Sequence, residues 1–120
     1  MLTTNKKNSL SVEVINSQII IDPGVSQAGT DIINHPGSTS NFSDVVSFTG
    51  ADQYVYSLVY LQKSGNSSIV DSTQSAIGSG VEDLLTPSLP SSRTPVALFT
   101  FASGDSSTDI SMVSYQEILR

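Results

Sequence analysis

The 120-residue chain has one histidine, His35, and about a fifth of its residues are serine. A serine hydrolase needs an imidazole within hydrogen-bond reach of its nucleophile and a carboxylate behind that imidazole. Composition alone permits such a triad. The nucleophile elbow Gly-x-Ser-x-Gly is absent, however, and Gly78-Ser79-Gly80 is one residue too short for it on each side of the serine. His35 sits between Asn34 and Pro36-Gly37, a setting that predicts an exposed turn and a plain polar role. A small hydrolase using His35 with a serine and an aspartate is the enzymatic alternative. The expectation is a protein that is not an enzyme, with no catalytic, cofactor-binding or metal-binding residues and no cofactor.

Two other groups of residues raise binding chemistry. Asp105 and Asp109 flank Ser106-Ser107-Thr108 beside Gly104, and hard cations such as calcium seek several oxygens from one flexible loop. The alternating ligands and closing glutamate of an EF-hand are missing, so a turn in which Asp105 and the hydroxyls satisfy local amides is expected instead. Tyr54, Tyr56 and Tyr60 form a row that could stack on sugar rings if it faced outward. Core or subunit packing is the expected role for such a row. Asn41-Phe42-Ser43 and Asn66-Ser67-Ser68 match the glycosylation pattern but, without a secretory signal, read as turn residues. Phosphate-cradling glycine loops are absent.

The elements that must position these groups are short strands. Val12, Val14 and Ile19-Ile20-Ile21 predict two strands around Asn16-Ser17, stopped at Asp22-Pro23-Gly24. From Val25 to Asp44 the polar, glycine-broken pattern predicts a long loop holding one short strand. Tyr54 to Leu61 alternates Tyr54, Tyr56, Leu58 and Tyr60 on one face with Val55, Val59 and Leu61 on the other. A strand apolar on both sides belongs inside a sandwich or at an oligomer contact. Ser68 to Asp71 returns as a hairpin, Val96 to Phe101 is a further strand begun at Pro95, and Ile110 to Tyr115 closes the set. Ser72 to Ser92 stays unassigned, with a loop favoured by Gly78, Gly80, Pro87 and Pro90.

Together these predict an all-β fold, an antiparallel β-sandwich of jelly-roll type with roughly seven to nine strands. One domain over residues 9–120 follows a short flexible arm over residues 1–8. Five Lys and Arg against eleven Asp and Glu leave a net charge of −6, which excludes nucleic acid and anionic membrane as partners. There is no cysteine, so disulfide frameworks and thiolate chemistry are excluded. Polar residues behind Lys6 and Lys7 interrupt any signal-peptide core, and no apolar run approaches the ~20 residues of a membrane helix, so a soluble chain is expected.

The run from Tyr54 to Gly65, the Leu89-Pro90…Pro95-Val-Ala-Leu-Phe-Thr-Phe101 segment, Gly104 and the closing Ile110…Arg120 resemble small β-sandwich modules of bacteriophage virions. The resemblance spans about 65 residues. It implies a structural part of a phage particle, often trimeric, found on the capsid surface, in tail fibres or in baseplates, and it transfers no catalytic residues.

A free-standing module of this length fits a capsid decoration or cement protein, stabilising the shell as a homotrimer against the major capsid protein. The alternative is a tail-fibre or baseplate module that recognises host glycans. Tyr54, Tyr56, Tyr60, Phe99 and Phe101 are the expected core and oligomer-packing residues. Leu2, Lys6 and Lys7 of the arm are the expected capsid-docking residues, their cations drawn to an acidic shell. The expected location is the virion surface, after assembly in the host cytoplasm.

Overall fold

The structure, a computed structural model, describes residues 10–118. Nine strands run in the order β1 (Val12–Ile15), β2 (Gln18–Ile21), β3 (Gly24–Ala28), β4 (Asp31–His35), β5 (Ser38–Asn41), β6 (Tyr54–Ser64), β7 (Ser67–Gln74), β8 (Arg93–Ser103) and β9 (Ile110–Glu117). All pairs are antiparallel, in a long sheet β7-β6-β8-β9, a short sheet β1-β2-β5 and the β3–β4 hairpin. The described residues thus form an all-β sandwich. Its wiring consists of four sequence-adjacent hairpins and two longer returns, β2 to β5 and β6 to β8. Among the described residues no helix is long and apolar enough to cross a membrane.

Turn chemistry sets the hairpins. Asn16 and Ser17 join β1 to β2 with φ of 53° and 63°, both positive, as a two-residue type I′ turn requires. In the β3–β4 and β6–β7 turns only the first linking residue has positive φ: Gly29 at 63° and Gly65 at 60°. That is the type II′ pattern, which favours glycine there because any side chain would be strained.

The segment 25–44 departs from the expected loop, since β4, β5 and all but the first residue of β3 lie within it. The reason is pairing rather than composition. Strand β5, Ser38-Thr-Ser-Asn41, has no buried residue of its own and is held by register with Ile21 to Gln18 of β2. Ala28, Ile33 and His35 are the buried residues of the β3–β4 hairpin, on the inward face they share with Ser26, while Val25, Gln27, Ile32 and Asn34 face out. Strand β8 begins at Arg93, two residues before the expected start, and Pro95 falls inside it. A register shift between Val59 and Tyr60 makes a bulge there, so the missing Pro95 donor does not break a regular ladder.

The core lies between the inner face of the long sheet and the other two layers. Val55, Val59, Leu61, Phe99 and Phe101 are sealed from solvent against Val12, Ile19, Ile21 and Ile33. Phe101 meets Phe42 with ring centroids 5.0 Å apart and stacks along β8 on Phe99 at 5.4 Å. Each such ring contributes roughly 1.5–3 kcal/mol of apolar burial. The loop carrying Val45, Val46 and Phe48 fills one side without forming a strand. Ser57 and Ser72 both donate their hydroxyls to the Val45 carbonyl, at 2.7 and 2.8 Å. The Gln74 side chain holds both the N–H and the carbonyl of Ser47, at 2.9 Å each. Side chains therefore do for this loop what a ladder would otherwise do.

Candidate functional site

The residues singled out from the sequence are placed on different surfaces. Phe99 and Phe101 point into the core. Tyr54, Tyr56 and Tyr60 stand on the opposite, outer face of the same sheet, because alternation along β6 gives Val55, Ser57, Val59 and Leu61 the inner positions. Tyr54 and Tyr56 are half-buried, whereas Leu58 and Tyr60 are buried. The segment 75–92 accounts for much of this cover. Gly78 exchanges two backbone hydrogen bonds with Tyr54, at 2.8 and 2.9 Å, and Arg93 lies over the Tyr60 ring at 6.0 Å. One short 3-10 turn, Val81–Asp83, interrupts an otherwise irregular strap. Leu2, Lys6 and Lys7 lie outside the described residues.

His35 is not in an exposed turn: it ends β4 and retains only 5 % of its surface. Its Nδ1 meets the Ser68 hydroxyl of β7 at 2.6 Å, and its Nε2 meets the Ser38 hydroxyl of β5 at 3.0 Å. Strand order hid this, because the three residues belong to three elements that adjoin only after folding. Burial disfavours the imidazolium and lowers the His35 pKa below its ordinary value of 6.5. Neither nitrogen meets a carboxylate, the group that would fix the tautomer and stabilise an imidazolium during catalysis. The arrangement ties three strands with neutral hydrogen bonds. Beside it, Pro23, Val25, Asn34 and Asn66 help line a shallow cleft of about 370 Å³.

The Asp105–Asp109 turn is also satisfied from within. An Asp109 carboxylate oxygen accepts the Asp105 N–H at 3.1 Å, and the Asp109 carbonyl accepts the Gly104 N–H at 2.8 Å. No cluster of three or more metal-ligating side chains occurs among the described residues.

Two further surface features stand out, the second of them bearing on the tyrosine row. The first is a set of exposed apolar side chains. Val25 and Ile32 on the outer face of β3–β4 are 61 % and 47 % exposed, and Ile69 on β7 is 46 % exposed. Lys63 donates to the Ile32 carbonyl at 3.4 Å, and Ile69 is the ladder partner of Gln62. Val25 and Ile32 share the outer face of the β3–β4 hairpin, whereas Ile69 stands on the outer face of the long sheet, because its neighbours Ser68 and Val70 turn inward. The second is a groove of about 370 Å³ on the outer face of the long sheet, lined by Tyr56, Thr86, Leu98, Thr100, Ser114 and Gln116 together with Tyr115. Parity along each strand is visible in the sequence; the register of β6 on β8, across a gap of almost thirty residues, is not. Searched against known proteins, the chain matches no family model, no curated protein and no solved structure.

Proposed function

We propose that the protein is a structural component of a bacteriophage virion, a capsid decoration protein that assembles as a homotrimer and covers the outer shell against the major capsid protein. Its role is to bury surface, and it is not an enzyme. The observation that carries this reading is the exposed apolar pair Val25 and Ile32, neighbours on the outer face of the β3–β4 hairpin. Grouped exposed apolar side chains on a body this hydrophilic mark a contact surface. The virion assignment draws on the resemblance of the Tyr54–Arg120 segment to phage β-sandwich modules.

Charge bears on how such contacts form. Over residues 10–118 the cations are Lys63 and Arg93 against all eleven acidic residues, a balance of −9. Bodies of that charge repel one another, so apolar contact must supply the attraction between copies. The cationic Lys6 and Lys7 would then serve attachment to an acidic shell.

Light scattering on the purified chain, with sedimentation alongside empty capsids, tests the proposal. A trimer that pellets with capsids is the expected result, and Ile32→Asp should lower the molar mass without unfolding the protein. A monomer that stays in the supernatant would overturn it. Retention on host-surface polysaccharide with none on capsids would move the same fold to the tail.

A further inference from the structure

The groove over Tyr56 has the chemistry of a small-ligand site, and it lies away from the β6–β7 turn. Eight residues separate Tyr56 from Ser64 along β6, about 26 Å at the rise of an extended strand. Register builds the floor of the groove. Tyr56, Thr100 and Ser114 form one cross-strand row over β6, β8 and β9, and Leu58, Leu98 and Gln116 form the next. Thr86 of the strap stands in the wall.

Thr100 is the informative residue. It keeps only 7 % of its surface, yet its hydroxyl has no hydrogen-bond partner among the described residues, and it lines the groove. Its hydroxyl oxygen is not sealed from solvent, so the small exposed part of Thr100 presents that oxygen to the groove. The side chains of Tyr56, Thr86, Ser114 and Gln116 are likewise without hydrogen bonds among the described residues. A half-buried aromatic ring is thus bordered by three hydroxyls and an amide with unspent donors and acceptors, in a space within the size range of ligand sites. No charged side chain lines it.

We propose that this groove binds a neutral carbohydrate, one pyranose unit lying on the Tyr56 ring with its hydroxyls bonded to Thr100, Thr86, Ser114 and Gln116. The ring offers an apolar face to the apolar face of a sugar. Hydroxyl and amide groups, each able to donate and accept, suit a polyol better than they suit an ion. Anionic sugars are disfavoured by the −9 balance of residues 10–118. The site goes beyond the assembly role and holds whether the protein sits on a capsid or a tail.

The test is an NMR titration of the folded, full-length chain with maltose, lactose and cellobiose, using sialyllactose as an acidic control. Sugar concentrations reach roughly 10 mM, above the ~1 mM dissociation constant of weak recognition. The expected result is saturable shifts at Tyr56, Thr100, Ser114 and Gln116 with at least one neutral sugar and none with the acidic control.

Thr100→Val keeps the shape and removes the hydroxyl. It should weaken that sugar about fivefold while leaving Tm within about 2 °C. Loss of affinity without loss of stability distinguishes a ligand-facing hydroxyl from a structural one. Tyr56→Ala should abolish binding with the spectrum still that of a folded chain. The proposal is overturned if no neutral sugar shifts these residues. It is equally overturned if Thr100→Val leaves affinity unchanged, or if Thr100→Val changes the molar mass, which would assign the groove to a second copy. Capsid attachment is not part of the readout, so failure here and failure of the decoration role are separate results.

Discussion

The His35 imidazole meets the Ser68 hydroxyl at 2.6 Å through Nδ1 and the Ser38 hydroxyl at 3.0 Å through Nε2, so one buried ring joins β4 to both β5 and β7. Burial lowers its pKa in the folded chain below 6.5. The unfolded chain therefore takes up the proton first as pH falls. Stability from this group is complete above about pH 6.5 and is lost between there and the lowered folded value. The slope is at most about 1.4 kcal/mol per pH unit for one proton. Urea denaturation at a series of pH values checks this, and His35→Gln should flatten the curve in that window.

Ser17 occupies the second position of the β1–β2 turn with φ of 63°. A type I′ turn prefers glycine at that position, because an L side chain in the left-handed region is crowded. Ser17→Gly should therefore stabilise the protein by about 0.5–1 kcal/mol, seen as a higher urea midpoint with an unchanged slope.

A methyl group on Gly104 would collide with the Asp109 carboxylate, which accepts the Asp105 N–H at 3.1 Å and organises the β8–β9 turn. Gly104→Ala should lower stability by about 1–3 kcal/mol, the cost of overpacking. Because this carboxylate is already engaged with the backbone, millimolar calcium should leave Tm unchanged. A rise in Tm on calcium addition would show instead that the turn opens to hold the ion.

Phe101 and Tyr54 lie on opposite faces of the long sheet. Phe101→Ala should cost about 3–5 kcal/mol, since it opens a cavity beside Phe42 and Phe99. Tyr54, half-buried on the outer face, should cost clearly less on truncation to alanine. Thermal melts of the two variants, run side by side, check the difference.

The proposed self-association and the proposed docking of the arm should respond to salt in opposite directions. Screening weakens repulsion between bodies that carry −9 over residues 10–118, so the oligomer should tighten as salt rises. Attachment through Lys6 and Lys7 to an acidic shell should weaken over the same range. Light scattering and capsid co-sedimentation at low and high salt separate the two effects.

The sequence by itself determined the class of fold. Alternation in Tyr54–Leu61 and Val96–Phe101, with Asn16-Ser17 and Gly65-Asn66 as turns, specifies β-hairpins through local sterics and a two-residue period. It also determined the balance of charge. The weakly apolar strands escaped it, since β5 is polar throughout and exists only because Ile21 to Gln18 offer it a ladder. Tertiary structure alone decided that His35 is buried between two serines from other strands. It alone set Tyr56, Thr100 and Ser114 in one row and placed Val25 and Ile32 side by side on the outer face of the β3–β4 hairpin. Each of these juxtapositions depends on non-local pairing, whose register is set by which faces are buried together and not by any neighbouring residue.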